Sequence, residues 1–190
     1  CDPISAFGGV VSCNFKVNKN LAIEINKLFL EVIIAKGFEK SAINILKSKK
    51  NLRIIDSKNY RLNNLLKFKS VNDEILIQSD DLKKFNTKDF KIVSKRKPTS
   101  KQFKNLLFAF NICRYVKSNA IILANDETTS GIGSGQPSRL DSCQLAIKKM
   151  KKFNLNNQNL VAASDAFFPF VDGVEKLVQS GVQAIIQPSG

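Results

Sequence analysis

Short apolar runs of strand length alternate with stretches of helical period along most of the chain, and that alternation most restricts what it can fold into. Phe7 to Ser12 reads as a first strand, entered through Gly8-Gly9. Asn18 can cap a helix running to about Leu30, with Leu21, Ile25 and Leu28 on one stripe. Val32 to Ala35 follows as a strand, Glu39 to Lys49 as a helix with Ala42, Ile45 and Leu46 inward, and Leu52 to Ile55 as a further strand. Strand, helix, strand, helix, strand is an α/β pattern.

Residues 57–97 interrupt the pattern. Ile75-Leu76-Ile77 has strand character, but the rest is polar and reads as a connector ending at Lys95-Arg96-Lys97 and Pro98. The alternation then resumes. Thr99 or Ser100 caps a helix to about Tyr115, Asn119 to Ala124 is a strand, and Pro137 and Ser138 start a helix carrying Leu140, Cys143, Ile147 and Met150. Leu160 to Ala163 is a strand, Asp172 to Gln179 a short helix stopped by Gly181, and Val182 to Ile186 a closing strand. The economical architecture is two α/β halves, residues 1–97 and 98–190.

A chain of 190 residues suffices for one α/β domain or two small half-domains. No run approaches the roughly 20 apolar residues that cross a membrane, so no membrane partner is expected. The chain opens on Cys1-Asp2-Pro3 without Met and closes on Gln187-Pro188-Ser189-Gly190, and both ends are expected to be cuts through a larger protein. Cys1, Cys13, Cys113 and Cys143 are scattered, and no His completes a zinc set. No metal ligands are therefore expected, and the thiols read as buried or indifferent in a reducing cytoplasm. The net charge of +14 suits nucleic acid, anionic small molecules or a solvated surface. The lysines are spread and do not alternate with aromatic residues as a base-stacking platform requires, so no nucleic-acid partner is expected. The competing reading is a basic α/β nucleic-acid module, which would need a concentrated basic groove.

Three segments exceed what packing asks of a sequence. Val116-Lys117-Ser118-Asn119-Ala120 places Lys and Asn where the chain emerges from the core. Gly131-Ile132-Gly133-Ser134-Gly135-Gln136-Pro137-Ser138-Arg139 joins three glycines to a helix start, which suits an anion or a close-lying ligand. A glycine run needed only for a tight turn explains it equally, and without the Lys-Ser/Thr ending of a P-loop a triphosphate cradle is not expected. Ser164-Asp165-Ala166-Phe167-Phe168-Pro169-Phe170-Val171-Asp172-Gly173 sets three Phe around a Pro with an Asp on each side. One or two of the rings pack inside; rings bracketed by a carboxylate also fit a flat heterocycle with an amide edge.

These segments resemble the aminoimidazole carboxamide ribonucleotide formyltransferase family, the larger domain of a bifunctional purine-biosynthesis protein that also carries inosine monophosphate cyclohydrolase. The likeness rests on Ser118-Asn119-Ala120-Ile121, on Gly131-Ile132-Gly133 with Gly135-Gln136 and Ser138-Arg139, and on Ser164 to Phe170 with Asp172-Gly173. It extends to Asp2-Pro3-Ile4-Ser5-Ala6-Phe7-Gly8-Gly9, Glu31 to Ala35, Lys49 to Arg53 and Ala184 to Pro188, in family order, with residues 57–90 poorly anchored. The resemblance implies two cytidine-deaminase-like α/β units in tandem, truncated at both ends. It implies formyl transfer from 10-formyltetrahydrofolate to the ribonucleotide's amine, in a cytoplasmic homodimer with pockets at the subunit interface. A related cytidine-deaminase-like protein with another formyl or amine substrate is the remaining alternative, and the Phe-Phe-Pro-Phe segment with Asp172 favours folate.

The same resemblance implies residue roles. Asn119 corresponds to a catalytic Asn holding the substrate's carboxamide beside the attacking amine. Gly8 and Glu31 correspond to nucleotide-pocket positions, and Lys50 to a Lys that meets the 5′-phosphate. Phe167, Phe170 and Asp172 correspond to the folate side, and Arg139 sits where the family approaches the folate. Ser118 and Asp165 fall near a position where some members bind potassium; with Cys113, Val116 and Ala120 as neighbours, that ion would depend on backbone carbonyls. The family's Lys-His pair falls upstream of Asp2-Pro3 and another His follows the last residue, so the 190-residue chain is expected to be inactive by itself.

Overall fold

A computed structural model describes residues 4–61, 66–83, 85–153 and 158–189. It divides into two compact units between Leu82 and Lys83.

In the first unit, β1 (Phe7–Cys13), β2 (Phe29–Ala35) and β3 (Arg53–Asp56) form a parallel sheet in the order β1-β2-β3. The crossovers are α1 (Lys19–Asn26) and α2 (Lys40–Leu46). Asn18 caps α1 as expected, its side chain accepting the Leu21 N–H at 2.9 Å. Ala22 and Ile25 of α1, Ala42 and Leu46 of α2, and Ile33 and Ala35 of β2 share one core. The helix expected to reach Leu30 stops at Asn26, because Phe29 pairs with Phe7 and the strand begins three residues before Val32. Strand pairing here overrides a helical period that continues through Leu28. Val10, Phe29 and Ile55 remain exposed.

The stretch expected to be a connector holds an antiparallel hairpin, β4 (Leu66–Val71) with β5 (Glu74–Ser79). Asn72 turns it with φ of 53°, a left-handed conformation that Asn tolerates. Every residue of both strands is exposed. Lys67 and Lys69 alternate with Leu66 and Phe68, and this period of two was masked in the sequence by the surrounding polar residues.

The second unit contains α3 (Ser100–Cys113), β6 (Ile121–Asn125), β7 (Thr128–Gly133), α4 (Arg139–Lys152), β8 (Val161–Ser164), α5 (Val171–Gln179) and β9 (Ala184–Ile186). Its sheet runs β7-β6-β8-β9, with β6 antiparallel to β7 and β8, and β8 parallel to β9. Thr99 and Gln102 form a reciprocal cap on α3. Ile121 and Leu123 pack against α4 and α5, whereas Ile122 and Ala124 pack against α3. A strand covered on both faces needs an unbroken apolar run, which is why Ala120 to Ala124 carries no polar residue. Residues 85–97, read from sequence as the tail of the first half, pack with this unit. The Phe90 ring lies against the α3 core, 5.4 Å from Phe110 between centroids.

The glycine segment is corrected by the structure. Gly131 and Gly133 are not loop residues but lie in β7, where α4 crosses at backbone distance. A Cβ on Gly131 would stand 2.2 Å from the Ala146 carbonyl oxygen, and one on Gly133 1.9 Å from that of Ser142. Close strand–helix approach, rather than a tight turn or an anion, demands these two glycines. Gly135, at φ +66, is the one that turns the chain toward α4.

Candidate functional site

In the second unit the pairing pattern gathers four segments at one end of the sheet. Ile121 opens β6 opposite Gly133 at the end of β7 and Ser164 at the end of β8, while Ala163 pairs with Ile186 at the end of β9. Residues 118–120, 134–139, 165–172 and 187 therefore all leave the sheet at that end.

Asn119 follows a cis Ser118–Asn119 peptide bond. Its Nδ2 donates to the carbonyls of Gln136 at 2.9 Å and Pro137 at 3.0 Å. Two acceptors on that side fix which way the amide faces, because only the NH2 can donate. The carbonyl oxygen Oδ1 is left to accept from a further group. The Asn119 backbone is held as well, its carbonyl accepting the buried Ser142 hydroxyl of α4 at 2.8 Å.

Arg139, in the first turn of α4, does not project free toward a ligand. Its Nη1 donates to Asp165 Oδ1 at 2.7 Å and Ser164 Oγ at 3.3 Å, and both charged side chains are about 15% exposed or less. Ser118 Oγ donates to the other carboxylate oxygen, and the Asp165 N–H donates to the Ala120 carbonyl at 3.2 Å. Burial pushes the Asp165 carboxyl upward. The hydrogen bonds at Ser118, Ala120 and Arg139, with the guanidinium charge, outweigh it and leave the group below its ordinary value. A carboxyl lowered in the folded state adds stability above its unfolded pKa, and loses it as pH falls through the lowered value. Melting temperatures taken from about pH 6 down to about pH 3 should fall more steeply for the wild type than for Asp165→Asn.

The Asp165 carboxylate gives no support to the potassium position suggested by resemblance. Both oxygens of Asp165 are engaged, and Arg139 already supplies the positive charge beside them. Among the described residues no cluster of three or more His, Cys, Asp or Glu could hold a metal ion.

The aromatic segment separates its rings by role. Phe168 packs into the core beside α4 and α5, 3.0 Å from where a Cβ on Gly173 would stand. Phe167 and Phe170 are 45% and 73% exposed. The Phe168 N–H is pinned by Gln187 Oε1 at 3.0 Å, which fixes the loop against the end of β9. Asp172 sits in the first turn of α5, where the helix end favours a carboxylate. One of its oxygens accepts the Gly173 N–H at 2.7 Å, and the side chain is exposed. A groove of about 920 Å³ beside β9, lined by Phe90, Phe103, Leu106 and Gln187, includes none of the residues expected at the site.

In the first unit, Gly8 and Glu31 are neighbours: a Cβ on Gly8, at φ +70, would lie 3.3 Å from Glu31 Oε1. A register shift between Phe7 and Gly9 creates this proximity. Lys50 is exposed in the turn before β3. All three stand at the amino end of the parallel strands, opposite the carboxyl end at which open α/β sheets usually hold ligands. Cys113 and Cys143, in the second unit, are pushed up to about 12, chiefly by burial, and are poor nucleophiles.

The sequence marks Asp165 as one of two carboxylates flanking the aromatic run and, by resemblance, as near an ion; it gives no part to Ser142 or Gln187. A carboxylate between an all-apolar strand and an aromatic run was the available signal for the first. Nothing local marked the others.

Comparison with known proteins adds a family. Residues 1–149 match the family model described as AICARFT/IMPCHase bienzyme. Over its whole length the chain is 42% identical to the bifunctional purine biosynthesis protein PurH of Persephonella marina and 44% to that of Caldicellulosiruptor saccharolyticus, covering 37% and 36% of them. The PurH of Neisseria meningitidis is 40% identical over 190 residues, again 36% of its length. The chain thus spans a little over a third of the curated relatives it matches.

Proposed function

We propose that this chain, which belongs to the AICARFT/IMPCHase bienzyme family, supplies part of a folate-dependent formyltransferase site of purine biosynthesis. The substrates are 10-formyltetrahydrofolate and aminoimidazole carboxamide ribonucleotide, and the full-length protein is a homodimer that also carries inosine monophosphate cyclohydrolase. The observation that supports this best is the gathering of Asn119, the Arg139–Asp165 pair and the Phe167-to-Asp172 segment at one end of a sheet. Two units of α/β type, each with its own core, are compatible with the tandem cytidine-deaminase-like arrangement.

The chemistry asks for orientation above all. The ribonucleotide's amine is a weak nucleophile; its nitrogen bonds to the formyl carbon, that carbon's bond to the folate N10 breaks, and one proton moves from amine to N10. Asn119 Oδ1 accepts an N–H of the substrate's carboxamide or amine and so directs the lone pair at the formyl carbon. Phe167 and Phe170 cover the faces of the pteridine, and Asp172 accepts N–H groups from its amide edge. Gly8 leaves room beside Glu31 for the nucleotide, and Lys50 meets its phosphate. The overall positive charge draws both anionic substrates.

The test is Asp172→Asn in the full-length protein. An amide turns one acceptor into a donor against the pteridine edge, so KM for the folate should rise about tenfold or more, with the nucleotide KM within about twofold. Equal losses for both substrates would remove Asp172 from the folate side.

A further inference from the structure

The carboxylate of Asp165 joins three separate segments that the proposed transfer requires in one geometry. Through Oδ2 it takes the Ser118 hydroxyl, 47 residues away in sequence and adjacent to Asn119. Through Oδ1 it takes Arg139, 26 residues away at the head of α4, directly after the loop whose carbonyls hold the Asn119 amide. Its own backbone N–H bonds the carbonyl of Ala120, and two residues further on the chain reaches Phe167. Ser164 closes the arrangement, accepting from Arg139 at 3.3 Å and donating to the Ala166 carbonyl at 2.7 Å. One largely buried carboxylate thus ties the residue before Asn119, the head of α4 and the start of the aromatic segment to one another, beside the separate anchors that Ser142 and Gln187 provide.

We propose that Asp165 is a positioning residue that sets the Asn119 segment and the Phe167-to-Asp172 segment relative to one another, acting through Ser118 and Arg139. Neither charged partner touches substrate in this role. Arg139, expected from resemblance at the folate, acts by holding the carboxylate in place. An ion pair of this burial is also a structural element, and breaking it by removing one partner leaves an unpaired buried charge. What separates the two roles is the distribution of the kinetic effect. A purely structural pair lowers the melting temperature and the amount of folded enzyme, and leaves the turnover of the folded fraction unchanged. A positioning residue lowers kcat while both KM values hold, because each substrate still binds its own segment but the reacting atoms no longer meet.

The proposal rests on the formyl-transfer reading, and the experiment separates the two. In the full-length protein, kcat and both KM values are measured for wild type, Asp165→Asn, Arg139→Gln and the double variant, at a temperature where each is folded by circular dichroism. The expected result is a fall in kcat of about tenfold to a hundredfold for Asp165→Asn, with KM values within about threefold. The double variant should be no worse than about threefold below Asp165→Asn alone, because both changes break one connection. A kcat within twofold of wild type for folded Asp165→Asn, or losses that multiply in the double variant, overturns the positioning role while leaving the formyl-transfer reading intact. If Asp165→Asn does not fold, Ser118→Ala decides: Ser118 is exposed, and its loss should still lower kcat at least about threefold. An unchanged kcat there overturns the proposal. A wild-type protein without formyl transfer removes the functional reading and this inference with it.

Discussion

Asn119→Ala in the full-length protein will slow formyl transfer about a hundredfold to a thousandfold at saturating substrate, the usual effect of removing one preorganised polar contact on the reacting groups. The argument begins with the two backbone carbonyls of Gln136 and Pro137, which claim both amide hydrogens and leave Oδ1 as the acceptor. Alanine removes that acceptor and also releases the loop. Folding is therefore affected too, contrary to what its place at a strand mouth suggests. Two hydrogen bonds to backbone are lost, each contributing about 1 kcal/mol, so a fall in melting temperature accompanies the kinetic defect. A rate within threefold of wild type would remove Asn119 from the reacting geometry, whatever the change in stability.

Gly133→Ala should be the most destabilising of the single substitutions considered for the second unit. Its Cβ would stand 1.9 Å from the Ser142 carbonyl oxygen and 2.6 Å from the carbonyl carbon. Both belong to helix backbone, so no side-chain rotation relieves the contact and α4 itself must move. Overpacking of a core typically costs about 1–3 kcal/mol, and a backbone clash of this depth belongs at or above the upper end. Ser142 also anchors the Asn119 carbonyl, and Arg139 starts the same helix, so the displacement reaches the site. Urea unfolding measures it, with Gly9→Ala as the control, because there a Cβ would meet only Leu30 Cδ2 at 3.5 Å. Equal midpoints for the two variants would mean that α4 yields at little cost.

The sequence carried the elements and their caps. Asn18, Thr99 with Gln102, and Ser138 each sit at a helix start where a side-chain oxygen meets backbone N–H groups within three residues. The run from Asn119 to Ala124 reads as a strand, and the structure adds that both its faces are covered, with Ile121 and Ile122 packing on opposite sides. The segments bearing Asn119, Arg139, Phe167, Phe170 and Asp172 stand out in the sequence for their Phe, Asp, Asn and Gly content, although Gly131 and Gly133 answer to packing. All of this is legible because propensity, capping and periodicity act over a few residues.

What only the tertiary structure decided was the use made of those residues. The glycines of β7 look like a loop until α4 is laid across them. Phe29 looks like the end of a helix until Phe7 pairs with it. Arg139 looks like a ligand-facing cation until Asp165, brought from 26 residues away, takes its guanidinium. Likewise one ring of the Phe-Phe-Pro-Phe segment is core and two are surface, and the packing of Phe168 against Gly173 makes that choice. In each case the deciding partner is remote in sequence, and the contact exists only because sheet register and helix crossing set the distance between them.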